Sequence, residues 1–161
     1  MPIPDFIVNL RRSIGHAPLW LSGATAVVLR APAAQGAAEQ VLLVRRADNG
    51  HWTPITGVVD PGEHPASTAV RETLEEAGVE TEVESLAWVS VSAPMVHANG
   101  DQAQYLDHTF RCRYVGGEPH PADDESTAAA FFALDDLPPM TDHMRERIRT
   151  AVEHTGTTRL D

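Results

Sequence analysis

The chain has a single cysteine, Cys112, which rules out an intramolecular disulfide framework and suits a reducing, cytoplasmic setting. Basic residues are scarce. Twelve Lys plus Arg stand against 23 Asp plus Glu, for a formal net charge of -11 at pH 7. Proteins that grip the phosphate backbone of a nucleic acid need a basic surface, so a polymeric nucleic-acid partner is not expected. A nucleotide remains admissible, because a divalent cation bound with it supplies positive charge locally. Long apolar runs are also missing. The N-terminal MPIPDFIVNLRR carries Asp5 early and reads as neither a signal peptide nor a membrane span. There is no internal repeat and no long low-complexity tract. At 161 residues the chain is long enough for one domain with a sizeable core.

What is present is concentrated between Gly57 and Val79, GVVDPGEHPASTAVRETLEEAGV. Pro61-Gly62 signals a turn. Pro65 suits a first helical turn, where its missing N–H costs nothing, and Gly78 suits the left-handed position after a helix end. The spacing therefore predicts a helix over Pro65 to Ala77. On it Glu72, Glu75 and Glu76 stand at i, i+3 and i+4 and share one face. Ala66, Ala69, Val70, Thr73 and Ala77 make a mostly apolar stripe opposite, able to pack on a sheet. Arg71 and Glu75 form an i, i+4 pair. Like charges this close destabilise a bare helix, whereas a cation among them reverses the sign. Oxygen-only donors favour Mg²⁺ or Mn²⁺ over zinc.

The segment resembles the box of the Nudix hydrolase family. That pattern runs Gly, five residues, Glu, seven residues, Arg-Glu, an apolar residue, any residue, Glu-Glu, any residue, Gly, then an apolar residue. Here it reads Gly57, Glu63, Arg71-Glu72, Thr73, Leu74, Glu75-Glu76, Ala77, Gly78, Val79. Thr73 is the one departure, standing where an aliphatic residue is expected. The resemblance implies a pyrophosphohydrolase that uses Mg²⁺, with Mn²⁺ as a substitute. Its substrate would be a small nucleotide: ADP-ribose, a sugar nucleotide, or an oxidised or normal nucleoside triphosphate.

It also implies metal ligation by Glu72, Glu75 and Glu76 with the Gly57 carbonyl, and support from Glu63 through Arg71 or a water. A catalytic base from a loop outside the box is expected at Glu125 in DDESTAAAFFALDDLP. Asp123 and Asp124 are rivals, Glu76 itself is another, and a merely solvated acidic loop is the plain alternative. Trp52 is a candidate for stacking on a base or for the core. His97, with Asn99 and Asp101, belongs to a loop that either touches substrate or is plain surface. Entry to the box is Pro54-Ile55-Thr56-Gly57, where the family usually has Pro-Gly-Gly.

Two other readings use the same fold. An isoprenoid diphosphate isomerase needs a cysteine facing the metal; Cys112, in a strand with no CxxC partner, counts against it. A non-catalytic nucleotide sensor would tend to lose box carboxylates, and all of them are here.

Along the chain, helices are expected at Asp5–Ile14, Pro65–Ala77 and Thr141–Glu153, with a helical turn starting at Asp135-Asp136. Strands are expected at Leu19–Leu29, Val41–Arg45, Glu80–Ser92, Ala103–Tyr114 and Ala128–Leu134, with Trp52–Val59 extended. Strands on both sides of the acidic helix indicate an α+β fold, an α/β/α sandwich with a mixed central sheet. Residues 1–18 read as a helical extension and 19–161 as the Nudix domain. His16, Trp20 and the first helix would either contact a second copy in a homodimer or pack on their own chain.

Overall fold

The computed structural model describes residues 3–161, so the first two residues of the expected extension lie outside the described residues. In order, the elements are α1 (Asp5–Ile14), β1 (Leu19–Arg30), β2 (Gln40–Arg46), β3 (Trp52–Thr53), β4 (Ile55–Val58), α2 (Pro65–Ala77), β5 (Glu80–Val91), β6 (Met95–Val96), β7 (Gln102–Gly116), β8 (Ser126–Ala133) and α3 (Asp142–Val152). The three helices and the main strands fall where the periodicity puts them. Asp135-Asp136 forms only a turn, and the short strand β6 takes up Met95 and Val96, just ahead of the loop that carries His97, Asn99 and Asp101. Among the described residues no helix is long and apolar enough to cross a membrane.

The sheet is mixed. β1 runs parallel to β7 from Leu19–Ala103 to Leu29–Arg113, and the remaining pairs are antiparallel. Along its other edge β1 is shared. Gly23 to Ala26 pair with β4, while Leu29 and Arg30 pair with β2. Each half of the same strand edge therefore meets a different partner, and the box enters the fold on β4.

Helices cover both faces, so β1 is buried on both sides and reads as a near-continuous apolar run, with Ala26, Val27 and Val28 fully buried. Under α2 lie Ala24, Ala26, Val28, Leu42, Ile55, Phe110 and Cys112, packed against Ala69, Ala77 and Val79. Under α3 lie the alternate residues Val27, Leu29, Val41 and Leu43 with Ile148 and Ala151. This is the period-2 alternation of a sheet with two cores. A third cluster seats α1 through Ile7 against Leu21 and Ala103.

α2 departs from the expected stripe. Its buried residues are Thr68, Ala69, Glu72, Thr73, Glu76 and Ala77, while Val70 and Leu74 are exposed. Two of the three glutamates thus lie with the apolar stripe rather than opposite it, and only Glu75 faces water. Thr73 is tolerated at full burial because its hydroxyl donates to the Ala69 carbonyl at 2.7 Å. Gly78 closes the helix in the left-handed region at φ 65°, with its N–H bonded to the Leu74 carbonyl at 3.0 Å. A side chain there would also strike His120, since a Cβ would lie 2.1 Å from its ring.

Candidate active site

Glu72 is 1% exposed and lies flat against Gly57 of β4. A Cβ at residue 57 would fall 2.3 Å from the Glu72 carboxylate, so only glycine admits that side chain. Glu72 Oε1 accepts from Arg71 Nη1 at 2.9 Å, and Oε2 is buried with no hydrogen-bond partner among the described residues. Burial, against the pull of Arg71, pushes the Glu72 carboxyl up to about 7. Glu76, one turn on, is 6% exposed and is pushed up to about 8, by burial first and then by Glu72, Asp123 and Glu125.

Arg71 organises the rest of the acidic face. Its Nε and Nη2 donate to the two oxygens of Glu63, each at 2.9 Å, and its Nη1 also reaches Glu75 Oε2 at 3.1 Å. Glu63 further accepts from Thr68 Oγ1 at 2.7 Å, and these bonds, with Arg71 foremost, hold its carboxyl down at about 2.

A cleft of about 650 Å³ opens beside this face. Gly57, Glu76, Glu125 and Thr56 line it, together with Arg46, His97 and residues of α1 and α3. The loop carrying Glu125 is anchored at both ends. Ala122 and His120 N–H groups bond the Glu76 and Ala77 carbonyls, and the Ala47 N–H bonds the Glu125 carbonyl at 2.7 Å. Glu125 is thereby carried to Glu76, from a position far along the chain. Arg46 chelates Asp48 at 2.9 and 2.8 Å and also feels the charges of Glu125 and Glu76.

Not every candidate reaches the cleft. Glu75 is 44% exposed and Arg71-bound, and it does not line the cleft. Trp52 does not line it either; its ring meets Phe132 edge-on at 4.8 Å among the residues packed under α3. His97 does line it, with Nε2 3.2 Å from Tyr105 Oη. Asp101 is spent on the chain itself, accepting from Asn99 and lying 2.7 Å from His16 Nδ1 and 3.4 Å from Arg11 Nε. His16 therefore contributes to packing the extension, and Trp20 stays 58% exposed.

Arg46, Arg147 and Asp107 are among the cleft residues that escaped the sequence reading. Arg46 looks like an ordinary strand end. Arg147 on α3 and Asp107 on β7 carry no local motif, and only the fold joins them. Arg147 Nη1 donates to Thr25 Oγ1 at 2.7 Å and sits 3.6 Å from Asp107 Oδ1, while Thr25 and Thr109 both donate to Asp107.

The glutamates fit a divalent cation by donor chemistry and by the orphaned Glu72 Oε2. Among the described residues, though, no group of three or more His, Cys, Asp or Glu is already gathered to hold one. Arg71 Nη1 holds Glu72 Oε1 at 2.9 Å and Glu75 Oε2 at 3.1 Å.

Comparison with known proteins decides the family. Residues 21–152 match the NUDIX domain. The chain belongs to the Nudix family. Over 105 residues it is 37% identical to the NAD-capped RNA hydrolase NudC of Pseudomonas aeruginosa, covering 63% of this chain and 34% of that protein. A MutT-like protein of Streptomyces ambofaciens is 34% identical over 98 residues, 61% of this chain and 58% of that one. This Nudix chain thus spans about a third of the length of the first relative and well under two thirds of the second. Among solved structures, an ADP-ribose pyrophosphatase from Streptococcus suis is 26% identical, covers 88% of this chain and 98% of its own, and superposes with a TM-score of 0.61. Members of the family generally use a divalent metal.

The raised carboxyls make a pH prediction. Glu72 and Glu76 bind protons more tightly folded than at an ordinary carboxyl value of 4.5. Their contribution to stability is therefore full below that value and is lost as pH rises towards about 8. Metal binding requires the charged forms, so it releases protons and stabilises most at high pH. In EDTA the Tm should fall between pH 5.5 and 8.5, and millimolar Mg²⁺ should restore it mainly at the upper end. Calorimetry showing a pH-independent effect of Mg²⁺ would count against cation binding at these two residues.

Proposed function

We propose that this chain is a Mg²⁺-dependent pyrophosphohydrolase, with Mn²⁺ as a substitute, that cleaves a small nucleotide in which a nucleoside diphosphate is linked to another moiety. ADP-ribose, a sugar nucleotide and an oxidised or normal nucleoside triphosphate are the candidate substrates. The observation that carries this reading is the buried pair Glu72 and Glu76: Glu72 packs on Gly57 with an unmatched carboxylate oxygen, and Glu76, one turn on, lines a cleft together with Gly57 and Glu125.

Glu72, Glu76 and the Gly57 carbonyl would hold the cation, with Glu75 recruited from Arg71. A bound divalent cation neutralises phosphate oxygens and acidifies water. The protein's own groups do the rest. Glu63 fixes Arg71, and Arg71 fixes Glu72 on Gly57. Arg46, facing Glu76 and Glu125, offers positive charge to the substrate phosphates. Glu125 takes a proton from water as the water oxygen bonds to phosphorus and the anhydride P–O bond breaks, the leaving phosphate departing with that electron pair. Cys112 is fully buried and its thiol is pushed up to about 12 by burial, which disfavours the isomerase reading.

We take residues 19–161 as the catalytic domain and the preceding segment as an extension that walls the cleft with Pro4, Ile7 and Arg11. Trp20 is where a homodimer contact would form. The net charge of -11 favours a small nucleotide over an RNA chain, and the unpaired Cys112 favours a cytoplasmic setting.

The test is hydrolysis of a nucleotide panel with Mg²⁺ and with EDTA. Metal-dependent release of mononucleotide or phosphate products supports the reading; tight nucleotide binding with no turnover supports a sensor instead. Glu125→Gln should slow turnover roughly 10²–10³-fold with little change in the Mg²⁺ concentration giving half-maximal rate. An unchanged rate moves the base to Glu76.

A further inference from the structure

Arg147 lies in the same cleft as the acidic face but takes no part in the chemistry above. Its side chain is 7% exposed and reaches from α3 to the sheet. Among the described residues only Nη1 makes a hydrogen bond, to Thr25. Nε is buried with no partner, and the Asp107 contact at 3.6 Å is a charge contact too long to be a hydrogen bond. A buried guanidinium whose Nε has no partner, beside an Nη2 that makes no hydrogen bond among the described residues, is uncommon in a folded protein, because an unmatched buried donor is destabilising.

Three features say what the Nε–Nη2 edge is for. Asp107 is held in place by two hydroxyls, Thr25 at 3.0 and 3.1 Å from its two oxygens and Thr109 at 2.9 Å. It therefore stands as a fixed counter-charge 3.6 Å from Arg147. Asp107 also offsets the Arg147 charge, so the pair suits a neutral acceptor better than a second phosphate, which would confront the carboxylate. Finally, the register places the pair. Val58, next to Gly57, pairs with Gly23, and Gly23 pairs with Asp107. Asp107 thus lies two strands, roughly 10 Å, across the sheet from the box strand. A nucleoside bridges such a gap between its phosphate and its base.

We propose that Arg147, anchored by Asp107 and Thr25, reads a nucleobase edge carrying two adjacent acceptors, so that this site selects guanine-type over adenine nucleotides. The O6/N7 edge of guanine matches the two-donor fork, whereas adenine puts an amino donor in place of O6. The inference rests on the pyrophosphohydrolase reading and adds the base preference to it.

The experiment compares kcat/KM for GDP-linked and ADP-linked substrates that share the same second moiety, in the wild type, Arg147→Lys and Arg147→Met. The wild type should prefer the guanine substrate by about 10- to 100-fold, with the difference in KM. Arg147→Met should bring the ratio close to one, and Arg147→Lys should lose most of it, because an ammonium keeps the charge without the fork. Should Arg147→Met fail to fold with Asp107 left unpaired, the double variant Arg147→Met/Asp107→Asn replaces it. Equal efficiency on the two substrates in the wild type, or an intact ratio in the folded variants, overturns the assignment of Arg147 alone. Hydrolysis of neither substrate, nor of any nucleotide in the wider panel, overturns the pyrophosphohydrolase reading and this inference with it.

Discussion

Replacing Glu76 by Gln should lower kcat roughly 10²–10³-fold, the scale on which one preorganised charged contact is lost, and at the same time make the metal-free protein more stable at pH 8. The two effects have one cause. Glu76 is 6% exposed and its neighbours Glu72, Asp123 and Glu125 all oppose its ionisation. Holding it charged costs folding free energy, which a bound cation would offset. Gln keeps the shape and removes the charge. The gain in EDTA at pH 8 should be on the order of 2 kcal/mol and should vanish near pH 5, where the wild-type carboxyl is already protonated. Steady-state rates and calorimetry on the same preparations check both halves. A catalytic loss accompanied by a fall in Tm would mean that Glu76 serves the fold; an undiminished rate would remove it from the site.

Arg71→Ala should be the most damaging single substitution in the box. Arg71 is bonded to Glu63, Glu72 and Glu75. Its loss leaves Glu63 and the 1%-exposed Glu72 without their counter-ion. Removing one partner of a buried pair costs about 3 kcal/mol or more, and Glu72 would no longer be held on Gly57, so turnover should fall as well. The size of the effect should depend on metal. In EDTA the destabilisation is full, whereas Mg²⁺ gives Glu72 a replacement cation and should recover part of the Tm. Arg71→Lys should restore charge without the bidentate fork to Glu63 and rescue stability better than rate. Thermal shifts that are equal with and without Mg²⁺ would separate Arg71 from the metal site.

The contrast between these residues explains how much could be read before folding. Pro65 and Gly78 mark the ends of α2 by local backbone chemistry, and the i, i+3, i+4 spacing of Glu72, Glu75 and Glu76 follows from helix geometry alone. The Glu63–Arg71 pair lies within one motif and was among the expected contacts. Which glutamate is buried was a different matter. Helical spacing places three carboxylates on one face, but the position of β4 decides that Glu72 and Glu76 are enclosed while Glu75 meets water. Trp52 shows the same gap, since the strand-end position was compatible with stacking or with core, and Phe132 draws it into the core.

The sequence by itself determined the family motif, the three helices, the main strands and the acidic character of the site, because each depends on residues a few positions apart. Strand order, the division of the β1 edge between β4 and β2, the carriage of Glu125 to Glu76, and the union of Arg147 with Thr25, 122 positions away, were decided only by the tertiary structure. The reason is physical: strand pairing and burial depend on which distant surfaces exclude water together, and no local pattern of residue types carries that information.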